Sequence, residues 1–477
     1  MLVAAILLAA SPRMAQAEAL LLIEADTGKV LQAENATYPW YPASVTKIMT
    51  AYVALKAVKE GRMTLDTLLT VSPAAAAQSP SKMGFKPGTQ VTLDNALKMM
   101  MVKSANDIAV VIAEGVGGSI DGFSAEMNKT AQRLGMTQTS YVNPNGLPAE
   151  GQITSARDLG ILARAVFRDL PEYEYFMHVP AIKFGRRITA NFNKLIGRYP
   201  GADGMKTGFI CASGFNLVAT ATRNNKRLIA VVLGAQSSAQ RALKAAQLLE
   251  RGFNGNKLSW LKPSLGTVDS LAPIDASPPN LRDEMCGPKR KRPAAENEED
   301  DPDIVADSNS ADSGISMFTA GLQAPTMKVS DLMAMPAAAA TPVIVYTGPA
   351  RTGAAILEAD AAEAANQAAS VAKRKKGAKG AKAAKLAAKP EAETTKPKDA
   401  KPAAKPAAAA PKPKAAAAAP ATKPAPKTDK KPDAAAKPAA AKPPAAKPAA
   451  GSSAAKPAAK PAAKPAAQQK PDASPRG

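Results

Sequence analysis

Histidine is almost absent from this chain: His178 is the only one in 477 residues. Histidine-rich metal catalysis is thereby disfavoured, and a Ser-His-Asp triad would have to use that one residue. Its neighbours Met177 and Val179 suit an ordinary, partly buried side chain. Cysteine is nearly as scarce. Cys211 and Cys286 alone are too few for a disulfide framework or a cysteine-rich zinc site. No apolar run reaches the ~18 residues of a membrane span. Aromatic residues make up 4% of the chain, and residues 371–477 contain no Phe, Trp, Tyr or His. A stretch of Ala, Lys and Pro without aromatics cannot bury enough apolar surface to offset its ordering entropy.

Positive charge is present in excess but unevenly placed. The formal net charge is +22, and residues 371–477 hold 26 Lys/Arg against 6 Asp/Glu, a balance of +20. The remaining body is therefore almost neutral, at +2. Leu2 to Ala10 is an apolar run, and Ala15-Gln16-Ala17 supplies a small-x-small cleavage pattern before Glu18. Residues 1–17 thus read as an export signal, directing the protein to the periplasm or cell envelope. The body reads as one domain over 18–258. Residues 259–370 are expected to be a mostly disordered linker. Residues 371–477 read as a disordered Lys/Ala/Pro tail that could bind anionic envelope polymers or acidic lipids. On this division, truncation after about residue 260 should leave the chemistry of the body intact.

Periodicity makes the body α+β. Ala19 to Ile23 is strand-like, Asp26-Thr27-Gly28 is a turn, and Lys29 to Gln32 returns as a hairpin. Ser44 to Val58 reads as an amphipathic helix, with Ile48, Tyr52 and Leu55 at helical spacing. Two more helical stretches flank Lys103-Ser104-Ala105, and Thr154 to Phe167 is helical with Thr154 or Ser155 as cap. Phe215–Thr222 and Arg227–Gly234 are strands, and Ser237–Phe253 is a closing helix. Strands at both ends predict an antiparallel sheet flanked by helices, with a helical insert. Ala354 to Ala372 could form a short helix.

Three motifs carry the chemistry. In Ser44-Val45-Thr46-Lys47, helical spacing puts the lysine within reach of the serine hydroxyl, so Lys47 can activate Ser44 as a nucleophile. Alone the pattern means little, and it also occurs at Ser79/Lys82, Ser370/Lys373 and Ser453/Lys456. Ser79 lies beside Pro80, with Gly84 and Pro87-Gly88 close behind, so no stable helix follows it. In Ser104-Ala105-Asn106 the hydroxyl can relay a proton and the amide can hold a substrate carbonyl; a lone match would more simply be a helix cap. In Lys206-Thr207-Gly208 the lysine and threonine can take a carboxylate. The glycine lets a strand approach substrate closely; a lone match would be a surface turn.

The three together, in this order and separated by 60 and 102 residues, match the pattern shared by serine β-lactamases and penicillin-binding proteins. The strings Pro42-Ala-Ser-Val-Thr-Lys-Ile-Met-Thr50, Lys103-Ser-Ala-Asn-Asp107 and Gly201-Ala-Asp-Gly-Met-Lys-Thr-Gly208 resemble the low-molecular-mass penicillin-binding proteins, and more narrowly the serine D-alanyl-D-alanine carboxypeptidases. The resemblance covers roughly residues 18–256. It implies a β-lactamase/DD-peptidase-like fold and an acyl-enzyme formed on Ser44. It further implies Lys47 as base, Ser104 as proton relay and Asn106 as substrate orienter. The backbone amides of Ser44 and Phe209 would form the oxyanion site, and Lys206, Thr207, Gly208 and Arg241 would surround the substrate carboxylate. The implied substrate is a peptidoglycan stem peptide, and β-lactams would be covalent inhibitors. No metal or cofactor is called for.

Rival readings are a crosslink-cleaving endopeptidase with the same motifs, a β-lactamase, and a polycationic envelope-binding protein. No glutamate between Asp107 and Lys206 is followed by Leu-Asn, the segment a β-lactamase would use in deacylation. The tail's charge would suit nucleic-acid phosphates, but the export signal and the complete motif set argue against that partner.

Overall fold

The structure, a computed structural model, describes residues 18–255, 264–288 and 328–387. The export signal expected over 1–17 and the tail beyond 387 lie outside the described residues. The chain opens with the hairpin β1 (Ala19–Glu24) and β2 (Val30–Glu34). A 3-10 turn over Ala43–Thr46 leads into α1 (Lys47–Lys59). The insert holds β3 (Leu68–Thr70), α2 (Pro73–Ala76), β4 (Gln90–Thr92), α3 (Leu93–Lys103), α4 (Asn106–Gly117), α5 (Ile120–Leu134) and α6 (Ala156–Asp169). A small hairpin, β5 (Ala181–Phe184) and β6 (Arg187–Ala190), follows. The chain then returns to the main sheet as β7 (Ala202–Ile210), β8 (Gly214–Arg223) and β9 (Lys226–Ala235), and α7 (Ser238–Asn254) closes it.

The main sheet has the antiparallel order β2-β1-β9-β8-β7, with both chain ends of the domain meeting where β1 pairs β9. Helix α6 packs on β1 and β9, and α7 packs on β8 and β9. That two-sided cover explains why Leu228 to Leu233 are all fully buried and why the strand reads as a continuous apolar run instead of an alternation. The helices start where short polar caps allow. Ser155 Oγ accepts from the Asp158 amide and Ser237 Oγ from the Gln240 amide, each satisfying a backbone donor that the first turn leaves open.

Two expectations need correction. Helix α1 is not amphipathic: every residue from Lys47 to Leu55 is buried, because helices α3, α4, α5 and α6 surround it. Residues 259–370 are not mostly disordered linker, since 264–288 and 328–372 are built into the body. Lys29 bridges Thr267, Val268 is fully buried, and α8 (Arg282–Cys286) carries a disulfide from Cys286 to Cys211. Further on, α9 (Val329–Ala334) packs on α7, and β10 (Val343–Ile344) adds to β5 in parallel. Val345 is fully buried, and α10 (Ala354–Ala387) docks through Lys183–Asp360 at 2.6 Å. The apolar residues responsible are too sparse to give a periodic signal. They fill gaps on the surface of the domain.

Candidate active site

Ser44 sits in the 3-10 turn before α1, and Lys47 is the first residue of the helix proper. Three residues of tight helix bring Lys47 Nζ under the hydroxyl: it donates to Ser44 Oγ at 2.9 Å, to Asn106 Oδ1 at 2.7 Å and to the Asn145 carbonyl at 2.8 Å. Lys47 is wholly buried while Ser44 stays partly exposed. The serine hydroxyl therefore lies toward solvent and the lysine behind it. Gly146 lets the 143–147 turn press against this region. It has φ +80°, and a Cβ there would fall 1.8 Å from the Ala43 carbonyl oxygen.

Ser104 separates α3 from α4 in the left-handed conformation, φ 59° and ψ 31°. Such a backbone costs a non-glycine residue of order 1 kcal/mol or more and is held only where the surroundings insist on it. Here it turns Asn106, at the start of α4, toward Lys47. The other end of the Asn106 amide donates to the Ser79 carbonyl at 3.0 Å, and the Asn106 backbone N–H donates to the Ser81 carbonyl at 2.7 Å. The rival pair Ser79/Lys82 does not meet as nucleophile and base: Lys82 Nζ donates to the Ala76 carbonyl at 3.2 Å, and Ser79 serves through its backbone.

The Lys-Thr-Gly motif lies inside β7. Lys206 and Thr207 are buried, and Lys206 Nζ donates to Ser104 Oγ at 3.0 Å and to the Thr207 carbonyl at 2.9 Å. A Cβ on Gly208 would lie 2.8 Å from the Ser44 amide nitrogen and 3.0 Å from that of Val45. Only glycine lets the strand run this close to the nucleophile. Phe209 follows, half-buried, with its ring 4.4 Å from that of Phe215. Arg241 is buried at the start of α7, with guanidinium N–H groups 3.5 Å from the carbonyls of Gly208 and Phe192. All nine residues named from the sequence thus belong to one neighbourhood, with the side chains of Lys47, Lys206 and Arg241 buried within it. Among the described residues no group of three or more His, Cys, Asp or Glu converges as metal ligands.

Sequence reasoning missed the supports. Asn145 holds Lys47 through a carbonyl, and its side-chain amide donates to Gln78 Oε1 at 2.9 Å. Asn216 donates to the carbonyls of Tyr41 and Pro42, tying β8 to the loop that carries Ser44. The only signal for Asn145 was the Asn143-Pro-Asn-Gly turn cluster, and Asn216 gave none.

Comparison with known proteins places this arrangement. The family model described as D-alanyl-D-alanine carboxypeptidase matches residues 7–237. The chain is 39% identical to the D-alanyl-D-alanine carboxypeptidase DacC of Escherichia coli K12 over 245 residues, which are 50% of this chain and 61% of that one. It is 30% identical to DacB2 of Mycobacterium tuberculosis over 223 residues, 46% of this chain and 74% of that one. Among solved structures it is similar to penicillin-binding protein 5 from Haemophilus influenzae, at 34% identity and a TM-score of 0.49, over 51% of this chain and 72% of that one. The chain spans about three-fifths of the length of its E. coli relative. With the three motifs assembled around one serine and these likenesses in sequence, the chain belongs to the D-alanyl-D-alanine carboxypeptidase family.

Proposed function

We propose that this chain is a serine-type D-alanyl-D-alanine carboxypeptidase that removes the terminal D-alanine from peptidoglycan stem peptides. The observation that carries the reading is the buried Lys47 side chain, its Nζ 2.9 Å from Ser44 Oγ, with the Lys206–Ser104 pair as the second lysine and hydroxyl of the set. Lys47 acts as the free amine and takes the proton of Ser44. Ser44 Oγ attacks the carbonyl carbon between the two D-alanines and forms a C–O bond. The oxyanion rests between the Ser44 and Phe209 amides. Asn106 orients the peptide, and Lys206, Thr207 and Arg241 receive the terminal carboxylate. The C–N bond then breaks as the proton that Lys47 took from Ser44 passes through Ser104 to the departing amine, and water hydrolyses the acyl-enzyme ester, giving one proton back to Ser44 Oγ.

β-Lactams would acylate the same serine. Export to the periplasm or envelope follows from the signal over 1–17, and the cationic tail would hold the enzyme on anionic envelope polymers or acidic lipids. Incubation with a pentapeptide stem and with crosslinked dimers tests the activity. Free D-alanine from the pentapeptide is expected. Dominant cleavage of dimers would make it an endopeptidase, and no product from either would sink the reading. Peptide mapping of a penicillin adduct should find Ser44.

A further inference from the structure

The turn that ends β7 is held from two sides. From the nucleophile's side, the Trp40 indole N–H donates to the Ser213 carbonyl at 3.0 Å. From the other side comes the segment after the family-like domain: the Leu281 amide donates to the Ala212 carbonyl at 3.0 Å, and Cys286 is disulfide-bonded to Cys211. Leu281 and Met285 are buried, so the segment is packed in place and not merely tethered. Within the turn, the Ser213 amide donates back to the Ile210 carbonyl at 3.0 Å. Cys211 is two residues beyond Phe209 and three beyond Gly208, whose backbone rests against the Ser44 amide. A shift of the turn therefore moves the strand end that faces the nucleophile.

We propose that the Cys211–Cys286 disulfide, with the Leu281–Cys286 segment it anchors, is a positioning element of the active site, setting the Phe209 amide relative to Ser44. This rests on the acyl-enzyme reading above. Cys211 and Cys286 touch no reacting atom. They act through the backbone of the Cys211–Ser213 turn. Oxyanion donors stabilise the transition state far more than the bound substrate, and only when correctly placed. Misplacement should therefore slow acylation while leaving non-covalent binding nearly unchanged.

The test compares the oxidised full chain with Cys211→Ser, Cys286→Ser and the double variant, using a fluorescent penicillin under single-turnover conditions. Final labelled fraction counts folded protein. The saturating acylation rate and the half-saturation concentration separate chemistry from binding. The expected result is near-complete labelling, an acylation rate lower by about tenfold, and a half-saturation concentration within about twofold of the parent. A second arm needs no substitution. A dithiol reductant delivers two electrons and two protons to the parent's disulfide, giving two thiols and the reductant's own cyclic disulfide. Acylation should slow likewise and recover on reoxidation. If labelled fraction falls while the rate per folded molecule stays put, or if neither changes, the positioning role is overturned. If the oxidised parent does not label at Ser44, the acyl-enzyme reading fails and this inference falls with it.

Discussion

Gly208 shows how little space separates the strand from the nucleophile. An alanine there would put a methyl carbon 2.8 Å from the Ser44 nitrogen and 3.0 Å from that of Val45, both backbone atoms that cannot rotate away. Gly208→Ala should therefore push β7 outward and lower penicillin acylation by about 100-fold or more, the usual loss when an oxyanion donor is displaced, with a melting temperature near the parent's. Acylation within about threefold of the parent would show that the strand has room to yield. Lys47→Arg tests the base. Arginine keeps the charge but cannot release a proton in a protein, so stem-peptide hydrolysis should nearly vanish. Activity within about tenfold, a ~1.4 kcal/mol change in barrier, would mean another group takes the serine's proton. The side chains that meet around Ser44 were legible in the sequence because residue type and spacing define them. Asn145 was not, because it holds Lys47 through a backbone carbonyl that every residue possesses.

The elements around the site were legible where one face is buried, and misread where burial is all round. Helix α1 contacts α3, α4, α5 and α6, so its sequence carries no polar stripe, and helical spacing alone could not reveal its central place. Polar residues in its middle and at its far end join it to α6. Tyr52 O–H donates to Asp169 Oδ2 at 2.6 Å, and Lys59 Nζ donates to the Asp169 carbonyl at 2.7 Å. Burial pulls the Asp169 carboxyl upward, but hydrogen bonds from Arg168 and Tyr52 outweigh it and hold the group below the usual 3.8. Burial and the same carboxylate push the Tyr52 hydroxyl up to about 12. The signs differ. A lowered carboxyl contributes stability that is present above its unfolded value near 3.8 and is lost as pH falls through the folded value. A raised tyrosine contributes stability that is present below 10 and is lost as pH rises through about 12. Tyr52→Phe should cost about 1–2 kcal/mol at neutral pH. That cost should shrink as pH falls below 3.8 and Asp169 protonates, in thermal unfolding followed by circular dichroism. A cost constant across that range would mean the tyrosine contributes by packing alone.

At the scale of the whole molecule, the periodic pattern and the fold divide the chain at different places. The pattern put the break near residue 260, but packed residues continue over 264–288 and 328–372. The added part contributes Val268, Leu281, Met285 and Val345 to the interior, and the disulfide closes a separation of 75 residues. Each such buried side chain is worth about 1.5–3 kcal/mol, and a crosslink over a loop of that length is worth on the order of 4 kcal/mol in the chain-entropy account. Those are large shares of the roughly 5–15 kcal/mol that keeps a domain folded. A cut after residue 260 should therefore lower the melting temperature by roughly 10 °C or more and reduce stem-peptide hydrolysis, contrary to what the periodic pattern alone suggests. A cut after Ala372 removes 26 Lys/Arg and 6 Asp/Glu while sparing every packed residue named here. It should leave melting temperature and soluble-substrate hydrolysis unchanged, and weaken retention on isolated envelope material. Retention of the full chain should in turn fall with added salt, since exposed charges are screened over ~8 Å at physiological ionic strength. The two cuts separate the two roles of the C-terminal half. Equal melting temperatures for the 260 cut and the full chain would show that the segments over 264–288 and 328–372 add nothing to the fold. Equal, salt-insensitive retention of the 372 cut and the full chain would reduce the tail to a spacer.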